Sequence, residues 1–486
     1  MSYRHGVYNS EIPTSLTAPI TGSAGLQVVF GTAPIHLAED PYKAVNTPVL
    51  CYSFAECVAA LGYSTEFKKF TLCQSMYASF QMYNIAPIVL INVLDPSKDS
   101  HKQENEETEI GVVGGQAVYE KQYVLLDTLT VKNGETELFA DADYVAEHND
   151  DGYVVLTLLN TENEIKALTV GSVSLNPDGV TKEDILGSYD VKTGKETGLE
   201  LVRTIFPKFG MAPGQLIAPG FSKNSVVAAA LQAKTASING NFDCTCVLDI
   251  DCTSEGAVVY TDAKAQKEKM GAISADATSL WPMVKVGDYI LHYSAVYGAH
   301  VAQLDAENGD VPYESPSNLS LPITATVLDD GTEVLLDQEQ ANDMLNAYGI
   351  VTAINFNGFK VWGNNTCAYP STSDPKDRWI SVRRFFHWDG NNFILTYFQK
   401  VDRPGNKRLI KDIVDSQNIV GNGYVNREYC AGYRMDFLEE ENPATNLING
   451  HLTTHTYLAP YIPTEFLENI REYDVAALTN ALTGGD

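Results

Sequence analysis

Positive charge is scarce in this sequence: 33 Lys and Arg stand against 62 Asp and Glu, a formal net charge of −29. That balance argues against nucleic acid or an anionic membrane as the main partner, because both repel an acidic surface. No uninterrupted apolar run approaches 18 residues, which excludes a membrane-spanning helix. No apolar run follows Arg4 either, so no export leader is expected. The eight cysteines, at 51, 57, 73, 244, 246, 252, 367 and 430, follow no framework spacing and are expected to be reduced thiols. A G-x-x-x-x-G-K-[ST] phosphate loop and a G-x-S-x-G nucleophile elbow are both missing.

What is present belongs to a globular chain of several domains, with 44% hydrophobic and 10% aromatic residues. The acidity is uneven. Residues 101–200 carry 21 acids against 7 bases, whereas 376–411 hold Lys376, Arg378, Arg383, Arg384, Lys400, Arg403, Lys407, Arg408 and Lys411 against Asp377, Asp389 and Asp402. A basic face on an acidic chain reads either as a docking surface or as a set of internal ion pairs.

The opening MSYRHGVYNSEIPTSLTAPITGSAG cannot be helical: Pro13 and Pro19 remove donors, and Gly6, Gly22 and Gly25 raise the backbone entropy cost. It reads as an extended arm whose Tyr3, Val7, Tyr8, Ile12, Leu16 and Ile20 need a cover from elsewhere. After it, LQVVFGTAP and TPVLCYS read as strands, and SFAECVAALG as a helix capped by Ser53 and ended by Gly62. A helix over 74–84 feeds the apolar strand APIVLINVLD, expected to be buried on both faces. From about 101 the texture changes to period-2 runs broken by NGE, HNDDG and NPDG turns, the pattern of antiparallel hairpins. Strand and helix alternate again through GQLIAPG, SVVAAALQAKTASI, FDCTCVLDID and AVVYTDAKAQKEKMGAI, which implies right-handed βαβ units on a largely parallel sheet. The expected organisation is mixed α/β and multi-domain: an N-terminal arm 1–25, a split α/β core 26–100 and 205–350, an inserted acidic β-rich domain 101–204, a mixed C-terminal domain 351–462 and a C-terminal arm 463–486.

Chemistry is thinly represented. VLDIDCTS (247–254) resembles the first motif of haloacid-dehalogenase-like phosphotransferases, in which Asp249 would attack phosphorus, Asp251 would protonate the leaving group and Mg²⁺ would offset their repulsion. The competing reading is an apolar strand whose polar residues begin where it leaves the core, and no second carboxylate appears at the expected step of GDYILH. Cys244, Cys246 and Cys252 lack a C-x-x-C or a nearby His, so buried thiols are favoured over zinc ligands. His387 and Asp389 in HWDG have no nucleophile to serve, and Gly421-x-Gly423 lacks the strand-to-helix context of a dinucleotide site. No catalytic constellation, metal or cofactor is expected.

Several runs, taken in order, resemble the tail sheath proteins of contractile bacteriophages, in the branch typified by phage P2. They are the G-V-Y-x-x-E-x-P core of Gly6, Val7, Tyr8, Glu11 and Pro13; TPVLCYSFAECVAALG; the block Gly298, Ala299, Asp305, Gly309, Pro316, Ser317 and Asn318; LNAYGIVTAINFNGFKVWGNNT; ISVRR, taken as a following strand; and PTEFLENIREYDV. The likeness implies a structural, non-enzymatic protein that forms a sixfold helical homopolymer around a tail tube and contracts to drive the tube through the host envelope. It implies strand exchange through both arms, here Tyr3, Val7, Tyr8 and Ile12 at one end and Phe466, Ile470 and Tyr473 at the other, with Gly22 and Gly25 as flexible flanks. It further implies baseplate and tail terminator partners, no nucleic acid, no membrane insertion, and a place in the virion tail after assembly in the host cytoplasm.

Beside that likeness stands one feature of the residues themselves. In PGNKRLIKDIVDSQNIV, Asn406 caps a helix whose first turn carries Lys407 and Arg408. Cations there oppose the macrodipole by about 0.3–1 kcal/mol each, so folding alone does not favour them. With Lys411 they are expected to face acidic residues on the tube. The rivals are the sheath of a headless contractile bacteriocin or injection machine, the Asp249 phosphotransferase, and a polysaccharide-binding protein reading through the β-rich insertion. Removal of about 105–200 is expected to spare assembly.

Overall fold

The computed structural model describes residues 20, 21, 23–159 and 165–484. Its core strands are β1 (Gln27–Gly31), β2 (Val49–Cys51), β3 (Ile88–Asn92), β4 (Gln215–Ile217), β5 (Thr245–Asp249), β6 (Ala277–Leu280), β7 (Ile350–Asn355) and β8 (Phe359–Trp362). Among the described residues they form one sheet in the order β8-β7-β6-β5-β4-β1-β3-β2. The inner strands are all parallel, and β2 and β8 close the two edges in antiparallel fashion. QVVFG, IVLIN and TCVLD are buried at every position, as strands covered on both faces must be. β7 and β8 begin where the C-terminal domain was expected, at 350, and extend the core sheet instead.

Helices cover both faces. α1 (Phe54–Leu61) starts at Ser53, whose hydroxyl accepts the Glu56 N–H, and stops at Gly62 with φ +70°. α2 (Ser225–Ala233), capped by Asn224, and α3 (Ala263–Met270) pack on the face built by Val28, Leu216 and Leu248. The opposite face receives α4 (Tyr293–Glu307), buried on nearly all sides. It lies so close to β4 that a Cβ on Gly298 would meet Ile217 Cδ1 at 2.3 Å, which accounts for the Gly-Ala step in its sequence.

The insertion is antiparallel, as its turns require. Lys102–Gly111, Ala167–Leu175, Thr130–Asn133 and Thr136–Leu138 make one sheet, and Tyr144–His148, Val154–Leu158 and Gln116–Tyr119 another. The NG and DG turns close hairpins with Gly134 at φ +61° and Gly152 at φ +78°. Its Tyr119 and Tyr144 are buried in its own core, which favours packing over ligand reading. The insertion is narrower than its charge pattern implied: Ile185, Leu199, Leu201 and Val202 pack into the main core. A deletion of 105–200 would therefore damage that core.

Lys102 and Leu175 are paired neighbours, and the Asn176 N–H donates to the His101 carbonyl at 2.7 Å. Replacing 103–174 by a two-residue glycine link is thus expected to leave one cooperative melting transition. Its midpoint should be lower, because Phe70 and His36 lose their contact with Tyr123. Loss of cooperativity in calorimetry would refute the independence of the two units.

The C-terminal part contains α5 (Ile380–Tyr397), α6 (Lys407–Asn426), β9 (Cys430–Asp436), β10 (His455–Pro460) and α7 (Val475–Thr483). ISVRR, expected as a strand, is the first turn and a half of α5. Its β-branched residues favour a strand locally, but Ile380, Arg384 and His387 recur at helical spacing and are buried together, so tertiary burial decides.

Candidate functional site

Asp249 is committed to the fold. Its Oδ1 accepts the Ser294 N–H at 2.8 Å, and its Oδ2 accepts the Ser294 hydroxyl at 2.5 Å and that of Ser222 at 3.3 Å. Placed at the end of β5, it satisfies an otherwise orphaned donor in the first turn of α4. Asp251 sits 3.6 Å from Lys223, and the crevice between them holds about 10 Å³, room for one water and not for a phosphorylated substrate. Cys244, Cys246 and Cys252 are buried, and burial pushes the first two thiols well up and Cys252 to about 11, which suits packing rather than metal binding. Among the described residues no group of three or more His, Cys, Asp or Glu is placed to hold a metal ion. Gly421 has a packing role: a Cβ there would meet Tyr433 Cδ1 at 2.0 Å, so the glycine lets α6 lie against β9.

The incomplete part of the molecule is the C-terminal domain. β9 and β10 form a two-stranded antiparallel sheet, register Tyr433 to Leu458, with no further strand on either edge among the described residues. Such a ribbon is marginal alone and here leans on α5 and α6 through Phe385, Cys430, Tyr433, Trp388 and Tyr424. On the β9 edge the Asn418 side chain of α6 takes both the N–H and the carbonyl of Met435, each at 2.8 Å, whereas the β10 edge carries no neighbouring strand among the described residues, the template that strand addition uses.

Within this domain Asp389 is buried without a cation. The Tyr433 hydroxyl donates to its carboxylate at 3.2 Å, and Gln417 donates to that hydroxyl at 2.6 Å. Burial pushes the carboxyl up to about 6 despite the tyrosine. A raised carboxyl pKa means that the folded domain binds the proton more tightly than the unfolded chain, so stability is lost as pH rises through 6. Asp389→Asn is expected to stabilise the domain at pH 8 by up to about 3 kcal/mol, an advantage that fades between pH 6 and 4. Urea unfolding at pH 8 and pH 4.5 would show it; equal gains at both would contradict a charge effect.

The basic segment divides in two. Arg383 pairs with Asp276 at 2.5 Å and Asp377 at 3.2 Å, and His387 also meets Asp276, at 2.8 Å. Burial pushes the Asp276 carboxyl up, but His387 and Arg383 outweigh it and hold it at about 2. Arg384, 5% exposed, makes a bidentate pair with Asp305 at the end of α4, 1% exposed. Burial opposes the guanidinium's charge, and Asp305 more than offsets it. These pairs fasten α5 to the core. By contrast, Lys407, Arg408 and Lys411 are exposed and have no carboxylate in ion-pair range among the described residues. Asn406 caps their helix as expected, its Oδ1 accepting the Leu409 N–H at 3.0 Å. Phe398 and Val401, 71% and 62% exposed, precede them.

Of the arm residues, Tyr3, Val7, Tyr8 and Ile12 lie outside the described residues. Phe466, Ile470 and Tyr473 are 79%, 84% and 70% exposed, with Leu467 at 91%, on a segment that is exposed throughout from Thr464 to α7. The arm is held just before them. Arg378 reaches Glu465 at 2.9 Å while its guanidinium lies 4.6 Å from the Tyr369 ring and 4.0 Å from the Trp379 ring. At the other end Gly25 is no flexible flank: a Cβ on it would meet Ala302 Cα at 2.7 Å. Gly22 lies outside the described residues. Neither Arg378 nor the Asp305–Arg384 pair stood out in the sequence, where each reads as one more charge; the separation of 79 residues hid the pair.

No protein-family model matches the chain. In sequence it is 26% identical over 491 residues to the tail sheath protein of Burkholderia phage BcepMu, covering 94% of each chain. To the tail sheath protein of Escherichia phage P2 it is 25% identical over 321 residues, 62% of this chain and 74% of that one. The fold is shared with a chain of the anti-feeding prophage baseplate, at a TM-score of 0.58 and 14% identity over 98% of this chain and all of that one. It is also shared with a sheath complex of an extracellular contractile injection system in its contracted state, at a TM-score of 0.56 and 13% identity over 98% of this chain and 99% of that one. Along nearly its whole length the chain is similar in sequence to a phage tail sheath protein, and it shares its architecture with chains of contractile injection systems.

Proposed function

We propose that this chain is a structural subunit that polymerises with copies of itself around a tail tube, in the virion tail, and contracts to drive the tube through the host envelope. The observation that carries the reading is the pairing of two incomplete parts in one subunit: a two-stranded sheet whose β10 edge has no neighbouring strand among the described residues, and an arm that exposes Phe466, Leu467, Ile470 and Tyr473. Covering four such side chains contributes about 1.5–3 kcal/mol each, enough to hold a subunit contact. Strand addition between neighbours by the two arms extends this sheet. Baseplate and tail terminator proteins cap the polymer, which assembles in the host cytoplasm.

Lys407, Arg408 and Lys411 face the tube and meet acidic residues there, with Phe398 and Val401 beside them. Reversing all three charges to Glu is expected to leave the subunit folded and to reduce tube-dependent assembly at least tenfold, since each exposed pair contributes up to about 1 kcal/mol. Electron microscopy of subunits mixed with purified tubes reads the result; normal sheathing would remove the assignment. The second reading is the sheath of a headless injection particle, favoured by the source of the two fold neighbours. Capsid and terminase genes beside this one would exclude it.

A further inference from the structure

We infer that Asp310, in the turn after α4, is the anchor that holds the root of the N-terminal arm at Ser23 and Ala24, next to Ile20 and Thr21, which pair in parallel with Ile85 and Ala86. Its Oδ1 accepts the N–H of Ser23 at 2.7 Å and of Ala24 at 2.6 Å, and its Oδ2 accepts the Ser23 hydroxyl at 2.6 Å. One carboxylate thus takes three donors from two adjacent residues, and charge-assisted bonds of this kind are about twice as strong as neutral ones. Asp310 itself sits at φ +66°, and its own N–H is tied to the Asp305 carbonyl at 2.7 Å, so its side chain is aimed by a fixed turn. Next in the chain, Gly25 is pressed on Ala302, and a Cβ there would also come within 2.9 Å of Asp305 Oδ2.

The arm root is therefore clamped to the end of the helix whose Asp305 grips Arg384 of α5. A pull on the arm is delivered to the joint that carries the C-terminal domain. The assembly consequence rests on the sheath reading; the clamp itself does not.

Asp310→Gly removes the carboxylate without straining a left-handed backbone, and Asp310→Asn keeps the Oδ1 acceptor while losing the charge. Hydrogen exchange of the monomer, read by mass spectrometry on a peptide that starts at least two residues before Ser23 and ends at Gln27, is expected to accelerate about ten- to a hundredfold in the Gly variant and less in the Asn variant. The melting temperature should stay that of the parent chain. Polymers from the Gly variant should be short or irregular in negative stain. Unchanged exchange overturns the inference, as does faster exchange with polymers identical to the parent's, or a general loss of protection across β1 and α4 with a lower melting temperature. Failure of the parent chain to polymerise counts against the sheath reading alone, since exchange still reads the clamp.

Discussion

Arg384→Ala is expected to destabilise the folded subunit by about 3–5 kcal/mol. The reason is not the attraction lost but the charge left behind: Asp305 is 1% exposed, and without the guanidinium it stays ionised in the core or takes up a proton there. Guanidinium chloride unfolding at pH 7.5 should show the loss. Because the pair joins α4 to α5, the C-terminal domain should open first, with tryptic cleavage after Lys400 or Arg408 ahead of global unfolding. The double variant Arg384→Met with Asp305→Leu is expected to recover most of the stability, since apolar groups of similar volume replace a buried pair at little cost. A single variant as stable as the parent would mean that the two groups do not face each other in the folded protein.

Removal of residues 464–486 has the opposite profile, with little effect on the subunit and a complete one on the polymer. The segment buries almost none of its own surface, and the one ion pair lost, Arg378 to Glu465, is partly exposed and contributes about 0–1 kcal/mol. The melting temperature should therefore move by no more than a few degrees. Phe466, Leu467, Ile470 and Tyr473 leave with the arm, together with the exposed Val475, Leu478 and Leu482 of α7, and the first four alone take about 6–12 kcal/mol of the contact available to each neighbour. Sedimentation velocity and negative stain should show monomers only. Tubes of normal length from the truncated chain would place the contacts elsewhere.

The local code was readable wherever a short stretch carried its own physics. Five-residue apolar runs became the buried strands β1, β3 and β5; Ser53 and Asn406 capped the helices they precede; and Asn133-Gly134 closed a hairpin. ISVRR shows the limit: as an isolated segment it has strand propensity, and burial of Ile380 in the main core and of Arg384 against Asp305 of α4 makes it helical.

The sequence by itself determined the α/β core, the antiparallel insertion, the exposed arm and the sheath likeness, because period, turns and motif order are written in neighbouring residues. The tertiary structure alone decided what the charges do. Asp249 caps α4 from 45 residues away, Asp305 holds Arg384 across 79, and Asp310 grips Ser23 across 287. A carboxylate's neighbours in space, and its exclusion from water, set its role, and neither is encoded by the residues beside it in the chain.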